Sequence, residues 1–370
     1  MNIILIKSLI SILLSAFIVI FLGKIILQYI YSNNIILNKK NNDLNQKKIP
    51  IIGGFIILIS ILTTILILSN YKNIYIIIML ITTIWLGLTG LIDDLFKIQS
   101  KGVNPFFKII SQAILGLIIG LIICLNDNIS FKEHKKDYKY AEYHHYDRII
   151  IDKTQYRFYE KNLLLNIFFF KKENIFYKKM FFILMTIIII ISTSNGSNLT
   201  DGLDGLLATI SILIGCLLYI YTTISSSYIL SNYFNSAYIP NIKELNIFIS
   251  AFLGSCLGFL WYNVYPAKMF MGDTGSLTIG GIIAVVSILI RKEIFLPIYC
   301  GIFVIELISV IIQVSYFKYT KYKYKTGYRI FNMTPLHHHY QLNNIHESKI
   351  TNRFIIINAI LCVITIIISL

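Results

Sequence analysis

The chain has 370 residues, of which 56% are hydrophobic and 14% charged. Its 33 Lys and Arg against 18 Asp and Glu leave a formal charge of +15, and its mean hydropathy is +0.70. That hydropathy argues against soluble domains. The cations lie between apolar runs and form no basic domain, so the charge reads as membrane flanking and contact with anionic lipid, with no nucleic-acid partner.

Apolar runs of roughly 18 to 22 residues, enough to cross a bilayer, recur from end to end. The first, within MNIILIKSLISILLSAFIVIFLGK, has one early lysine and no A-x-A-like site. Its apolar stretch is too long for a signal core, so it reads as the first span. By length and hydropathy the spans fall near 3–22, 51–69, 74–92, 108–125, 181–197, 204–224, 246–262, 275–290, 294–315 and 353–370. The pattern predicts an all-α polytopic membrane protein of about ten transmembrane helices, forming a single membrane domain over 1–370. A long loop at 126–180 joins spans four and five. It carries strand-like stretches, RIIID and TQYRFYE, compatible with a hairpin or with disorder, and no evident chemistry.

Five cysteines (Cys124, Cys216, Cys256, Cys300, Cys362) lie in or beside apolar runs without a CxxC pair. They read as small buried hydrophobes, neither disulfides nor metal ligands.

Alternating spans put 23–50, 93–107, 198–203, 263–274 and 316–352 on one side. With its flanks, that side carries 16 of the 33 Lys and Arg. The other side carries 17, but 12 of them sit in loop 126–180. Long loops cross largely regardless of charge, so the first side is assigned to the cytoplasm. Every polar motif of interest falls there, which predicts an active site on the cytoplasmic face and an extracytoplasmic loop 126–180.

The first motif, GLTGLIDDLFKIQSKG (87–102), ends an apolar run on Asp93 and Asp94. Ionisable groups at the edge of a span are costly and usually functional. Neighbours on a helix point about 100° apart, so the two carboxylates serve different partners. The bland alternative is a solvated helix end paired with Lys97.

The second, NGSNLTDGLDGL (195–206), sets Asn195, Asn198, Asp201 and Asp204 in apolar sequence. In a helix Asp201 and Asp204 would share a face, and Asn198 or Thr200 could cap the helix that follows. A plain turn explains the glycines but not the two aspartates.

In NVYPAKMFMGDTGSL (263–277), Asp273 between Gly272 and Gly275 suits a hard oxygen-ligated cation such as Mg²⁺. Phe270 could stack on a flat ring. The fourth motif, MTPLHHHYQLNNIHESKITNRF (333–354), has three consecutive histidines. Consecutive side chains cannot all face one metal, so His337, His338 and His339 fit better as donors to phosphate or carboxylate. Several carboxylates around one cleft repel each other unless a divalent cation and a phosphate ligand relieve them, which is the machinery of phosphoryl transfer.

Taken in order, LIDD ending at 94, NLTDGLDGL (198–206), PAKMFMGDTGSL (266–277) and TPLHHHYQL (334–342) closely resemble the phospho-N-acetylmuramoyl-pentapeptide transferases. These belong to the polyprenyl-phosphate N-acetylhexosamine-1-phosphate transferase superfamily. The resemblance covers nearly the whole chain. It implies an Mg²⁺-dependent transfer of phospho-N-acetylmuramoyl-pentapeptide from UDP-N-acetylmuramoyl-pentapeptide to undecaprenyl phosphate. The products would be lipid I and UMP, in the bacterial inner membrane, and a homodimer is left open. By motif, Asp273 resembles the magnesium ligand. Asp93 resembles the residue that accepts a proton from the lipid phosphate, with Asp94 beside it. Asn198, Asp201 and Asp204 resemble nucleoside and sugar contacts, and Phe270 the ring stacked on uracil. His337, His338 and His339 resemble the histidines of the phosphate region, and Lys47 the lysine before the family's TPTMGG. Here that segment reads KKIPIIGG, with Ile49 and Ile51 where the family has threonine.

Three alternatives stand against this reading. A GlcNAc-1-phosphate transferase of the same superfamily is separated by its UDP-sugar, and the TPLHHH and NLTDGLDG forms favour the first assignment. A transporter or ion channel would carry its acids at mid-span depth, whereas these motifs cluster at span ends. A non-catalytic scaffold or relic leaves the full set of acidic motifs unexplained.

Overall fold

The computed structural model describes residues 2–32, 50–99, 102–126, 132–133, 159–160 and 175–369. Its helices are α1 (Asn2–Ser32), α2 (Gly53–Leu68), α3 (Ile74–Gln99), α4 (Pro105–Leu125), α5 (Ile175–Thr200), α6 (Leu206–Ser226) and α7 (Tyr228–Tyr233). They continue with α8 (Leu245–Asn263), α9 (Gly272–Leu289), α10 (Leu296–Tyr299), α11 (Gly301–Tyr324), α12 (Leu336–Leu342) and α13 (Glu347–Ser369).

Among the described residues, nine helices are long and apolar enough to cross a membrane. The second predicted span, α2, is apolar but only 16 residues long. At about 1.5 Å per residue it reaches about 24 Å, short of the hydrocarbon thickness.

The ninth predicted span, 294–315, is divided. A 3₁₀ turn (Glu293–Phe295) leads into the one-turn α10, which has proline in its first turn. Cys300 interrupts, and α11 starts at Gly301 and runs on to Tyr324. Proline favours a helix start over its interior, so Pro297 opens a new segment. The last span begins earlier than expected, at Glu347. Most of loop 126–180 lies outside the described residues. Within it, Lys132–Glu133 pairs antiparallel with Tyr159–Glu160, the end of TQYRFYE.

Helix α9 is the hub. It packs on α2, α3, α5 and α6, and every residue from Asp273 to Leu289 is buried. Helix α8 packs on α1, α2 and α6, α4 lies on α5, and α13 lies on α6. In lipid, helix association rests on close packing and hydrogen bonds, because lipid tails are as apolar as leucine. Gly90 of α3 meets the backbone of Asp273 and Thr274, where any side chain would collide. Interior polar pairs tie the same helices: Ser60 to Ser255 at 2.6 Å, Asn195 Nδ2 to Gln112 Oε1 at 2.6 Å, and Ser197 Oγ to the Ser276 carbonyl at 2.7 Å. Each such bond adds about 0.6 kcal/mol in a membrane interior.

Candidate active site

The four motifs meet at one end of the bundle. Helix α3 delivers Asp93 and Asp94 in its penultimate turn. The α3–α4 turn is closed by Asn104, whose side chain caps α4 on the Phe106 amide at 3.0 Å. Pro105 opens that helix, and the cap sets Lys108 in its first turn, facing back onto α3.

Asp93 is fully buried. Its carboxylate lies 2.7 Å from Lys97 Nζ, one helical turn on, and 2.7 Å from Lys108 Nζ. It also accepts from the Val103 amide at 2.8 Å. Both ammonium groups continue to Asp273, Lys97 at 2.7 Å and Lys108 in a shorter contact. Two lysines therefore clamp two aspartates from separate helices.

Asp94 faces elsewhere, as the 100° rule predicts. Its Oδ1 accepts from the Asp273 amide at 3.0 Å. Its Oδ2 accepts from the Thr274 amide at 2.9 Å and from Thr274 Oγ1 at 2.6 Å. Helix α9 has no cap of its own, and Gly272 at its start has a positive φ of 71°. Asp94 thus caps α9 from a neighbouring helix, with its charge at the positive end of the dipole. Asp93, Asp94 and Asp273 offer ligand oxygens within 4.8 Å of one another, a hard-oxygen set able to hold a divalent cation.

The second motif is not helical throughout. Asn198 is on the last turn of α5, and Asp201 to Gly205 form the turn before α6. Asp201 and Asp204 therefore do not share a helix face. Neither Asn198 nor Thr200 caps α6, whose N-cap residue is Gly205 and which has no side-chain cap. The glycines of the motif permit this turn, and Gly205 has a positive φ of 72°. Asn198 Nδ2 donates to Ser276 Oγ at 2.8 Å, joining α5 to the start of α9. The half-buried Asp201 carboxyl is held well above the usual carboxylate range by burial, then by the charges of Asp273 and Asp94. Asp204 ties the turn down: its Oδ2 accepts from the Ala267 amide at 2.8 Å, and its own amide donates to Glu347 at 2.9 Å. Asn263 bridges the Gly205 amide at 3.1 Å and the Met269 carbonyl at 2.9 Å.

The altered segment at 50–54 docks through its backbone. The Phe270 amide donates to the Pro50 carbonyl at 3.0 Å, while the Gly53 and Gly54 amides donate to the carbonyls of Phe270 and Met271 at 2.9 Å. Side-chain hydroxyls are not needed for these bonds, so isoleucine at 51 is accommodated. Lys47 and Ile49 lie outside the described residues. Phe270 is half-buried beside this bridge.

The histidines diverge. His337 is 1% exposed, with Nδ1 3.2 Å from Glu306 Oε1 and Nε2 without a hydrogen-bond partner among the described residues. That Nε2 packs against Gly202, where a Cβ would overlap the ring. The His338 ring lies tilted against His337, with centroids 4.2 Å apart, and pairs with Gln341 at 2.7 Å, and burial pushes its pKa below the ordinary histidine value. His339 turns away to the Asn332 amide at 3.2 Å.

The motif reading missed Lys108, Ser276 and Glu306, and met Lys97 only as a possible helix-end partner. Glu306 had a signal: it is the one carboxylate inside the apolar run 294–315. Lys108 had none, because its approach to Asp93 depends on the α3–α4 turn.

Residues 76–291 match the profile of Glycosyl transferase family 4. A phospho-N-acetylmuramoyl-pentapeptide-transferase of Amoebophilus asiaticus is 44% identical, over 96% of this chain and 91% of that protein. The protein of the same name from Flavobacterium psychrophilum is 42% identical, covering 86% and 81%. That of Azobacteroides pseudotrichonymphae is 41% identical, covering 98% and 93%.

Proposed function

The chain belongs to the phospho-N-acetylmuramoyl-pentapeptide-transferase family within Glycosyl transferase family 4, and from that membership we propose its reaction and the residues that carry it. It is a multi-pass membrane phospho-sugar transferase. The donor is UDP-N-acetylmuramoyl-pentapeptide and the acceptor is undecaprenyl phosphate. An oxygen of the carrier phosphate forms the new bond to the sugar-bearing phosphorus, the bond from that phosphorus to the UMP oxygen breaks, and lipid I and UMP result.

The observation that carries this reading is the double clamp of Asp93 and Asp273 by Lys97 and Lys108. Two cations held between two carboxylates, with Asp94 and Asp201 nearby, suit a site that receives a diphosphate and a phosphate. Lys97, with a side chain 45% exposed, is free to swing onto the donor phosphates, and the less exposed Lys108 holds the acceptor. Asp93 takes the acceptor's proton. Asp94, with both oxygens on the α9 terminus, acts by positioning Asp273.

The carboxylate cluster fits Mg²⁺, which Asp273 would hold and which would neutralise charge building on the leaving phosphate. Asn198 and Asp201 face the donor sugar, and Phe270 offers its ring to uracil. His337 and His338 border the phosphates. His339 and Asp204 support the loops that carry these groups, and Lys47 is assigned to the donor by resemblance. The site faces the cytoplasm of the inner membrane, where the nucleotide donor is soluble.

The test supplies the full chain in detergent with undecaprenyl phosphate, Mg²⁺ and either UDP-N-acetylmuramoyl-pentapeptide or UDP-N-acetylglucosamine. UMP released from the first donor is expected. UMP released only from the second would overturn the assignment.

A further inference from the structure

Helix α11 leaves the bundle as an arm. Glu306, near its start, already contacts the His337 turn, yet the helix continues for about 27 Å beyond that point at 1.5 Å per residue. Past Ser309 its buried residues are Gln313 and Thr320 alone. Both are covered by the chain's own return. Gln313 Oε1 accepts from the Ile330 and Phe331 amides at 3.0 Å, and Thr320 Oγ1 accepts from the Tyr328 amide at 3.0 Å. The arm is therefore an ordered helix with a folded-back irregular segment.

A neighbouring face, about a quarter-turn round the helix from Gln313 and Thr320, carries a stripe at helical spacing: Ile305, Ile308, Ile312, Tyr316 and Tyr319, each 40–56% exposed. Toward the tip the side chains become Lys318, Lys321, Lys323, Lys325 and Arg329, interleaved with exposed Tyr322, Tyr324 and Tyr328. Lys323 lies over the rings of Tyr319 and Tyr324 at 5.8 and 5.1 Å. No acidic residue occurs between Glu306 and Glu347, and none of the five cations has an ion pair among the described residues.

A purely solvated charged face would not carry an isoleucine stripe along the same helix. A purely buried span would not end in five cations. Isoleucine, then tyrosine, then lysine is the order of a helix passing from acyl chains through the interface to headgroups.

We propose that the 305–329 arm binds anionic phospholipid headgroups, with its isoleucine stripe in the acyl boundary and its lysines on lipid phosphates. The arm thereby gathers an anionic lipid patch beside the site. The occupant is the membrane surface, chosen by charge complementarity, in place of a protein partner or a second copy of this chain.

The test uses the full chain in nanodiscs of phosphatidylcholine containing a minority of phosphatidylglycerol, released and read by native mass spectrometry. The wild type is expected to retain phosphatidylglycerol above its bulk share, less so as salt rises. Lys318→Gln, Lys321→Gln and Lys323→Gln combined should weaken that retention by about fivefold per lysine. The matching Lys→Arg triple should keep it, which separates loss of charge from misfolding. Equal retention by the Gln triple, or no enrichment in the wild type, overturns the proposal. Loss of a dimer by the Gln triple with lipid retention unchanged also overturns it, in favour of a chain–chain contact.

Discussion

The Glu306 carboxylate lies 3.2 Å from His337 Nδ1 and also accepts the backbone amides of Leu336, at 2.6 Å, and His337, at 3.3 Å. A buried carboxylate near the start of an apolar helix is expensive, and here three donors satisfy it. The pairing directs His337 Nε2 at Gly202, beside Asp201. Glu306→Ala would strand two buried amides at about 1–3 kcal/mol each. It should lower the thermal midpoint by several degrees and cut turnover at least tenfold, read by thermal scanning and UMP release.

Gly202 tests the same contact from the other side. A Cβ at that position overlaps the His337 ring. Gly202→Ala should depress turnover while leaving the helix content of the purified protein unchanged by circular dichroism. Wild-type turnover would show that His337 does not depend on this packing.

Asp94 is predicted to matter mechanically. Its two oxygens cap α9 through three hydrogen bonds. Asn in its place keeps one acceptor oxygen and loses the charge at the helix N-terminus, a cost of about 0.5–2 kcal/mol. Asp94→Asn should therefore lower thermal stability, whereas a solely chemical role would lower turnover and leave stability intact.

Asp201 gives a pH dependence with a defined sign. Its folded pKa lies well above that of an exposed carboxylate, chiefly through burial. The folded state holds this proton more tightly, so the stabilising contribution is complete below the ordinary carboxylate value. It is lost as pH rises through the raised folded value. In EDTA, Asp201→Asn should raise the thermal midpoint at neutral pH and leave it nearly unchanged near pH 4. Equal shifts at both pH values would contradict this.

The sequence carried most of the spans, because about 20 apolar residues are needed whatever the neighbours, but not the shortness of α2 or the break at Pro297. It also separated Asp93 from Asp94, since adjacent helical side chains must diverge. It did not reveal that Lys97 and Lys108 join Asp93 to Asp273, a relation set by the Asn104–Pro105 turn and by Gly90, which lets α3 approach α9. The helical reading of 201–204 failed because glycines on both sides favour a turn over a continued helix. The histidine run showed that its members could not act alike, but the partner of each depended on Glu306 from another helix, Gln341 one turn along the same helix, and Asn332 from the preceding loop.

Asp273, clamped with Asp93 by two lysines, is the proposed reaction centre. The most direct measurement is UMP release by Asp273→Asn at saturating donor, carrier and Mg²⁺, with donor binding measured in parallel. Turnover is predicted to fall roughly 10²–10³-fold while donor affinity stays within a few-fold of wild type, by analogy with the loss of one preorganised charge partner elsewhere. Turnover within twofold of wild type would contradict the account.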